Sequence, residues 1–236
     1  MSYFIYIIAG VLPSAIWLLF YLRKDRHPES KRMILKIFLY GMIAALPVIL
    51  IELGFLEMLS RVTLSLSPFI VSILYWFLGV AFIEEFVKYL VVRGKVVKHS
   101  AFDEPVDLML YMMIAALGFA ALENILYLLP LTPAEVFPTS ILRFFGATFL
   151  HALCSGTLGF FLALSFYQIK HRGKLLLLGI VLAVVLHGAF NFYIIETEGT
   201  ISFLMPIIIL VGLAGFVTFG FKKLKKIKSV CLSVDR

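Results

Sequence analysis

Long apolar stretches separated by short polar segments run along the whole chain. No charged residue occurs from Met1 to Leu22, from Val62 to Ile83, or from Ile201 to Phe221. A bilayer requires about 20 apolar residues for each helical span. The stretches, read with the Lys, Arg, Pro and Gly residues that interrupt them, predict seven membrane-spanning helices. They are expected near 2–22, 33–53, 67–92, 106–130, 138–169, 174–195 and 201–221.

Composition supports a membrane protein and excludes an ordinary soluble domain. Hydrophobic residues make up 62% of the chain and charged residues only 15%, against roughly a quarter charged in soluble domains. The predicted fold class is therefore all-α, a polytopic transmembrane bundle forming a single integral membrane domain over 1–236. The fifth predicted helix is longer than one span needs, so it either tilts or begins as an interfacial segment around Pro138.

Basic residues divide the loops into two groups. Lys and Arg cluster after the first, third, fifth and seventh predicted spans, at 23–32, 93–98, 170–174 and 222–228. The other loops carry mostly acidic residues, among them Glu52 at the end of the second span. The positive-inside rule then places the N-terminus outside and the C-terminus in the cytoplasm of a multi-pass cell-membrane protein. The net charge of +7 thus reflects topology and a lipid partner, and no nucleic-acid partner is expected.

Ionisable residues inside the predicted spans are the strongest sign of function. Each costs roughly 2.5–3.5 kcal/mol at the centre of a span and by default marks a functional site. The third span contains Glu84, Glu85 and Lys88, and the i, i+4 spacing places Glu84 and Lys88 on one helix face. The fourth span contains Glu123 followed by Asn124. These carboxylates need partners on neighbouring helices.

The next two spans supply such partners. The fifth carries Arg143 and, two turns later, His151, while the sixth carries His187 and Asn191 at i, i+4. Four consecutive spans thus bring polar groups to a similar depth, and the other three bring almost none. The pattern predicts a catalytic or ion-handling core of four helices over about 67–195.

Three kinds of chemistry fit this set of residues. A nucleophile at Cys154 or Ser155 would need an adjacent base and an orienting group. Two carboxylates and two imidazoles could hold Zn²⁺, although the sequence contains no HExxH motif. A glutamate that activates water, assisted by His and Asn donors to the oxyanion, uses the set most fully and is preferred. On that interpretation no cofactor is required, and zinc is the alternative.

Four motifs in order resemble the PrsW family of intramembrane proteases. They are EExxK from Glu84 to Lys88, FxxxE from Phe119 to Glu123, the single His151, and HxxxN from His187 to Asn191. The wider superfamily includes the CAAX prenyl proteases, the Abi proteins and the anterior-pharynx-defective subunit of γ-secretase. The resemblance covers about residues 75–195.

The resemblance implies peptide-bond hydrolysis by a glutamic-type peptidase. Glu84 would activate the water, and His187 with Asn191 would bind the oxyanion. Glu85 and Lys88 would support Glu84. Either Glu123 or His151 would be the second partner of the water, because Glu123 stands where the CAAX branch has His. The remaining supporting residues are Asn124 and Arg143.

The resemblance also implies a substrate, a single-span membrane protein of the anti-sigma-factor type. Two other functions compete with proteolysis. A non-catalytic scaffold like the γ-secretase subunit would not need the double glutamate. A transporter or proton relay would also use intramembrane Glu and His, but the chain shows no match between its two halves, which many transporters have.

Overall fold

Helices form almost all of the described structure, a computed structural model that describes residues 3–24, 27–62, 66–97 and 104–227. Seven helical segments are long and apolar enough to cross a membrane, which confirms the predicted number of spans. Their orientation stays a prediction, and the basic residues Arg26, Lys98 and Lys228 lie outside the described residues. The helices are α1 (Tyr3–Leu22), α2 (Lys31–Val62), α3 (Pro68–Leu74), a π-helix (Tyr75–Phe82), α4 (Ile83–Lys95), α5 (Pro105–Leu128), α6 (Pro133–Phe145), α7 (Ala147–Tyr167), a 3₁₀ turn (Ile169–His171), α8 (Arg172–Glu196) and α9 (Ile201–Leu224).

Two of the predicted spans are composite. The third runs without a break through α3, the π-helix and α4. The fifth is interrupted at Gly146, whose φ of −97° and ψ of −101° are not helical, so α6 is a separate short helix that begins at Pro133. The long fifth span is thus two segments, as its length suggested, but the break follows Pro138 by eight residues.

Local sequence signals set the starts of three helices. A capping residue precedes a proline at the first helical position in each case, where the missing N–H costs nothing. The Ser67 hydroxyl accepts from the Ile70 amide at the start of α3. The other two starts are capping boxes, Glu104 with Asp107 at α5 and Thr132 with Glu135 at α6.

Burial is concentrated in two spans. The most apolar window of α5 is 94% buried and that of α6–α7 is 83% buried, whereas the other five spans reach only 17–33%. Large apolar side chains such as Leu50 on α2 and Phe203 on α9 are exposed, as expected for a surface that faces lipid. α5 packs on α7, α2 and α1 and so forms the centre of the bundle.

Two glycines allow α2 and α5 to pack in backbone contact. A Cβ atom built on Gly41 would lie 2.0 Å from the carbonyl oxygen of Ala115, and one on Gly118 would lie 2.0 Å from that of Phe38. Both obstacles are backbone atoms, so neither can rotate away. Small residues of this kind let membrane helices approach closely, and here they bring α2 against the central helix.

Gly41→Ala is therefore expected to destabilise the protein by roughly 1–3 kcal/mol, the usual cost of overpacking. Gly54→Ala on the same helix is a matched control, because nothing lies within 4 Å of its Cβ position. That control should be neutral or slightly stabilising, since Ala exceeds Gly in helix propensity by about 0.5–1 kcal/mol. The measurement is the thermal unfolding midpoint in detergent. Equal midpoints for the two variants would contradict the close approach.

Candidate active site

A cavity of about 410 Å³ lies where the predicted polar residues meet, towards the ends of α2, α5 and α8. Four of the predicted catalytic side chains on successive spans line it, namely Glu84, Glu123, His151 and His187. Asn191 also lines the cavity, one turn beyond His187 on α8. The remaining walls are mainly apolar and aromatic, and include Ile49, Tyr75, Trp76, Val80, Phe119, Tyr127, Leu142, Leu150, Phe190, Ile194 and Ile195.

Lys88 is the centre of the site. Its side chain is fully buried, and its Nζ atom donates to Glu84 Oε2 at 2.9 Å, to Glu85 Oε1 at 2.8 Å and to Nδ1 of His151 at 2.9 Å. The ring of Phe119 covers the ammonium at 4.4 Å from its centroid, a favourable cation–π contact. An ammonium has three protons, so every proton of Lys88 is used within the site.

Glu85 lies behind Glu84 and outside the cavity lining. Its side chain is fully buried. Besides Lys88, it accepts from the Ser155 hydroxyl at 2.6 Å and contacts Nδ1 of His187 at 3.0 Å. Nδ1 therefore carries a proton directed at the carboxylate, and this contact orients the His187 ring. Nε2 is the ring nitrogen that Glu85 does not engage. An ionised carboxylate in this position also stabilises the protonated ring.

A second group of contacts holds His151 in place. Since Nδ1 of His151 accepts from Lys88, its ring proton is on Nε2, which donates to Glu123 Oε2 at 2.7 Å. The other carboxylate oxygen of Glu123 accepts from Arg143 Nη2 at 2.9 Å. Arg143 Nε donates to Asn124 Oδ1 at 2.5 Å. One connected network thus runs from Asn124 to His187 across α5, α6, α7, α4 and α8.

The fold brings together the residues that the sequence identified. Eight of them form this network, and the ninth, Asn191, faces the same cavity. Asn124 has a packing role as well, because its amide donates to the Thr148 hydroxyl at 2.9 Å and to the Gly10 carbonyl at 3.2 Å. Cys154 and Ser155 are fully buried and outside the cavity lining, which disfavours a nucleophile at either position.

One acidic residue of the cavity was not predicted. The sequence places Glu52 among the acidic residues that border an outer loop, but α2 continues ten residues further, to Val62. Glu52 therefore lies inside a span and lines the cavity together with Glu84. The apolar residues after Glu52, including Leu53, Phe55 and Leu59, were the available signal that the helix continues.

The π-helix lies directly before the EExxK motif. It covers eight residues, Tyr75–Phe82, and ends two residues before Glu84. π-helical turns are rare and occur often at functional sites. Here the wide turns contribute Tyr75, Trp76 and Val80 to the cavity wall, and Trp76 Nε1 donates to Glu196 at 2.8 Å. This contact joins the third span to the end of α8 beside the cavity.

Comparison with known proteins gives one consistent result. The chain matches the model described as PrsW family intramembrane metalloprotease over residues 29–218. It is 35% identical to Protease PrsW of Geobacillus kaustophilus (strain HTA426) over 191 residues, 80% of either chain. It is 31% identical to Protease PrsW of Bacillus subtilis (strain 168) over 229 residues, 96% of this chain and 97% of that one. No solved structure gives a significant match.

The buried acid–base network inside a helical membrane bundle and these relatives define the class as intramembrane protease. The chain belongs to the PrsW family. The resemblance found from four short motifs is thereby confirmed over most of the chain.

The family description includes a metal, and four residues of the site carry atoms that could bind one. Glu84, Glu85, His151 and His187 each offer one ligand atom, and these atoms lie within 4.8 Å of one another. Their chemical types suit Zn²⁺. However, the Lys88 ammonium already binds three of these residues at 2.8–2.9 Å. A metal held by those same three atoms would have to take the place of Nζ, so Lys88 and such a metal cannot occupy the site together.

Proposed function

We propose that this protein hydrolyses a peptide bond of a single-span membrane protein, of the anti-sigma-factor type, with a water molecule activated by Glu84. The observation that carries the proposal is the position of Glu84 on the cavity wall, with Lys88 bonded to one of its oxygens. A carboxylate held by an ammonium through one oxygen keeps its other oxygen available to accept a proton from water. Oε1 is the oxygen that we assign to the water.

His187 and Asn191 serve the oxyanion in this proposal. Both line the cavity, and His187 is oriented from behind by Glu85. Because Nδ1 donates to Glu85, Nε2 can donate to an oxyanion when the ring is protonated. Asn191 offers an amide donor one turn further along α8. Donors held in advance at the place where negative charge develops are usually the largest single contribution to catalysis.

Glu123 and His151 are positioning residues in this proposal, and neither is the second partner of the water. Both nitrogens of His151 and both carboxylate oxygens of Glu123 are engaged by neighbouring side chains. Their contacts link α5 and α7 to Lys88. Arg143 and Asn124 extend the same support to α6 and α1.

The walls of the cavity suggest how a substrate enters. α6 and α8 both line it. The main neighbours of α6 among the described helices are α1, α5 and α7, and α8 is not one of them. We place the entry of the substrate helix between α6 and α8. The cavity lies towards the ends of α2, α5 and α8 that the basic loops predict to be outside the cell membrane. Cleavage is therefore expected near the outer surface, where the substrate backbone can leave its helix.

The test is cleavage by the purified protein in liposomes. The single-span anti-sigma factors encoded in the same genome, tagged at both ends, are the substrates, and Glu84→Gln is the inactive control. We expect two fragments with wild type alone, at a rate that EDTA and 1,10-phenanthroline do not change. Inhibition by both chelators that added Zn²⁺ reverses would replace the glutamate mechanism by a zinc mechanism. Absence of fragments with every substrate would favour the scaffold function.

A further inference from the structure

Glu52 contributes a fourth carboxyl group to the site, and none of the proposed roles uses it. It lies on α2 and lines the same cavity as Glu84 and Glu123. Its Oε1 atom is buried, and no hydrogen-bond donor among the described residues reaches it. A buried polar atom without a partner is costly, so its retention inside a span requires an explanation.

The predicted residues leave one catalytic task unassigned. Hydrolysis of an amide needs a group that donates a proton to the departing nitrogen. Glu123 and His151 are fully engaged, and Glu85 is enclosed behind Glu84. Lys88 donates its three protons in hydrogen bonds to Glu84, Glu85 and His151. Glu52 is the remaining carboxylic acid among the described residues that line the cavity.

The carboxyl groups of Glu52 and Glu84 have different charged neighbours, which gives the two residues different roles. Lys88 binds Glu84 directly, and Arg143 is bonded to Glu123 and Asn124. Glu52 lies beside Glu84 without a cation bonded to it among the described residues. Two carboxyl groups on the wall of one mainly apolar cavity cannot both be ionised at low cost. We therefore assign the proton to Glu52, the carboxyl group without a bonded cation, because two carboxyl groups with different environments can act as acid and base.

We propose that Glu52 is the general acid of the reaction, an inference that rests on the proposed function. Glu84 takes a proton from water as the water oxygen bonds to the carbonyl carbon, whose π electrons move to the carbonyl oxygen. When the oxyanion reforms the carbonyl, the C–N bond breaks and its electron pair takes the proton from Glu52. The proton on Glu84 then passes to the adjacent Glu52. One water is consumed, an acid and an amine leave, and both carboxyl groups return to their initial states.

The test compares Glu52→Gln with Glu57→Gln in full-length protein. Glu57 lies on the same helix, exposed and paired with Arg61, so it is a matched control. The substrate is an anti-sigma factor that wild type cleaves and Glu84→Gln does not. For Glu52→Gln we expect a fall in kcat of roughly 10²–10⁴-fold, the usual contribution of acid–base catalysis, with KM nearly unchanged. Glu57→Gln should stay within twofold of wild type.

A second substrate distinguishes loss of the general acid from structural damage caused by the Glu52→Gln substitution. This substrate is a synthetic segment of the anti-sigma factor in which a thioester replaces the amide bond at the mapped cleavage position. A thiolate leaves without needing a proton, so its release does not require a general acid. Glu52→Gln should hydrolyse the thioester within about tenfold of the wild-type rate, whereas Glu84→Gln should remain inactive on it. Equal losses on amide and thioester would overturn the general-acid role, as would an amide rate for Glu52→Gln equal to that of Glu57→Gln. Cleavage by Glu84→Gln would instead refute the proposed function itself.

Discussion

Glu84→Gln is expected to abolish peptide-bond cleavage and to leave the protein folded. Gln keeps the shape of the side chain, and its amide oxygen can still accept from Lys88, but it cannot take a proton from water. Loss of a general base costs roughly 10²–10⁴-fold in rate. The measurement is the initial rate of fragment formation, together with the thermal unfolding midpoint of each variant.

Two further variants make that result specific. Glu57→Gln removes an exposed carboxylate from α2 and should leave the rate unchanged. Glu85→Gln alters the contacts to Ser155 and His187 without changing a cavity-lining group, so it should slow cleavage less than Glu84→Gln does. If Glu84→Gln kept more than about a tenth of wild-type activity, another group would have to be the base.

Lys88→Met is expected to lower the free energy of unfolding by about 3–5 kcal/mol, the cost of removing one partner from a buried ion pair. Met is similar in length but leaves Glu84 and Glu85 without the shared ammonium, and His151 without its donor. Activity should fall at the same time, because Glu84 loses the donor that holds its side chain in place. Chemical denaturation in mixed micelles would measure the change.

The control for this variant is Lys174→Met at the exposed start of α8. Its free energy of unfolding should be within about 0.5 kcal/mol of the wild-type value.

The response of Lys88→Met to Zn²⁺ provides a second comparison with wild type. Removing Nζ leaves four donor atoms within 4.8 Å, so Zn²⁺ should raise the unfolding midpoint of Lys88→Met and have little effect on wild type. Strong stabilisation of wild type by Zn²⁺ would show that a metal can displace the lysine.

The sequence alone determined the features that depend on neighbours along the chain. The length of each apolar stretch decided the number of spans, because the bilayer has a fixed thickness. The i, i+4 spacing placed Glu84 with Lys88 and His187 with Asn191. Ionisable residues inside spans identified four of the five spans that line the cavity, since burying such residues in lipid is costly.

Only the tertiary structure decided which polar atoms meet. His151 contacts Lys88, and His187 contacts Glu85, although the paired residues are 63 and 102 positions apart in the chain. The geometry of these contacts depends on how the helices pack. Glu52 joins the site because α2 packs on α5, on α4 and on the π-helix. The π-helix and the break at Gly146 were also not predicted, since helical periodicity along the chain does not encode the fit between distant surfaces.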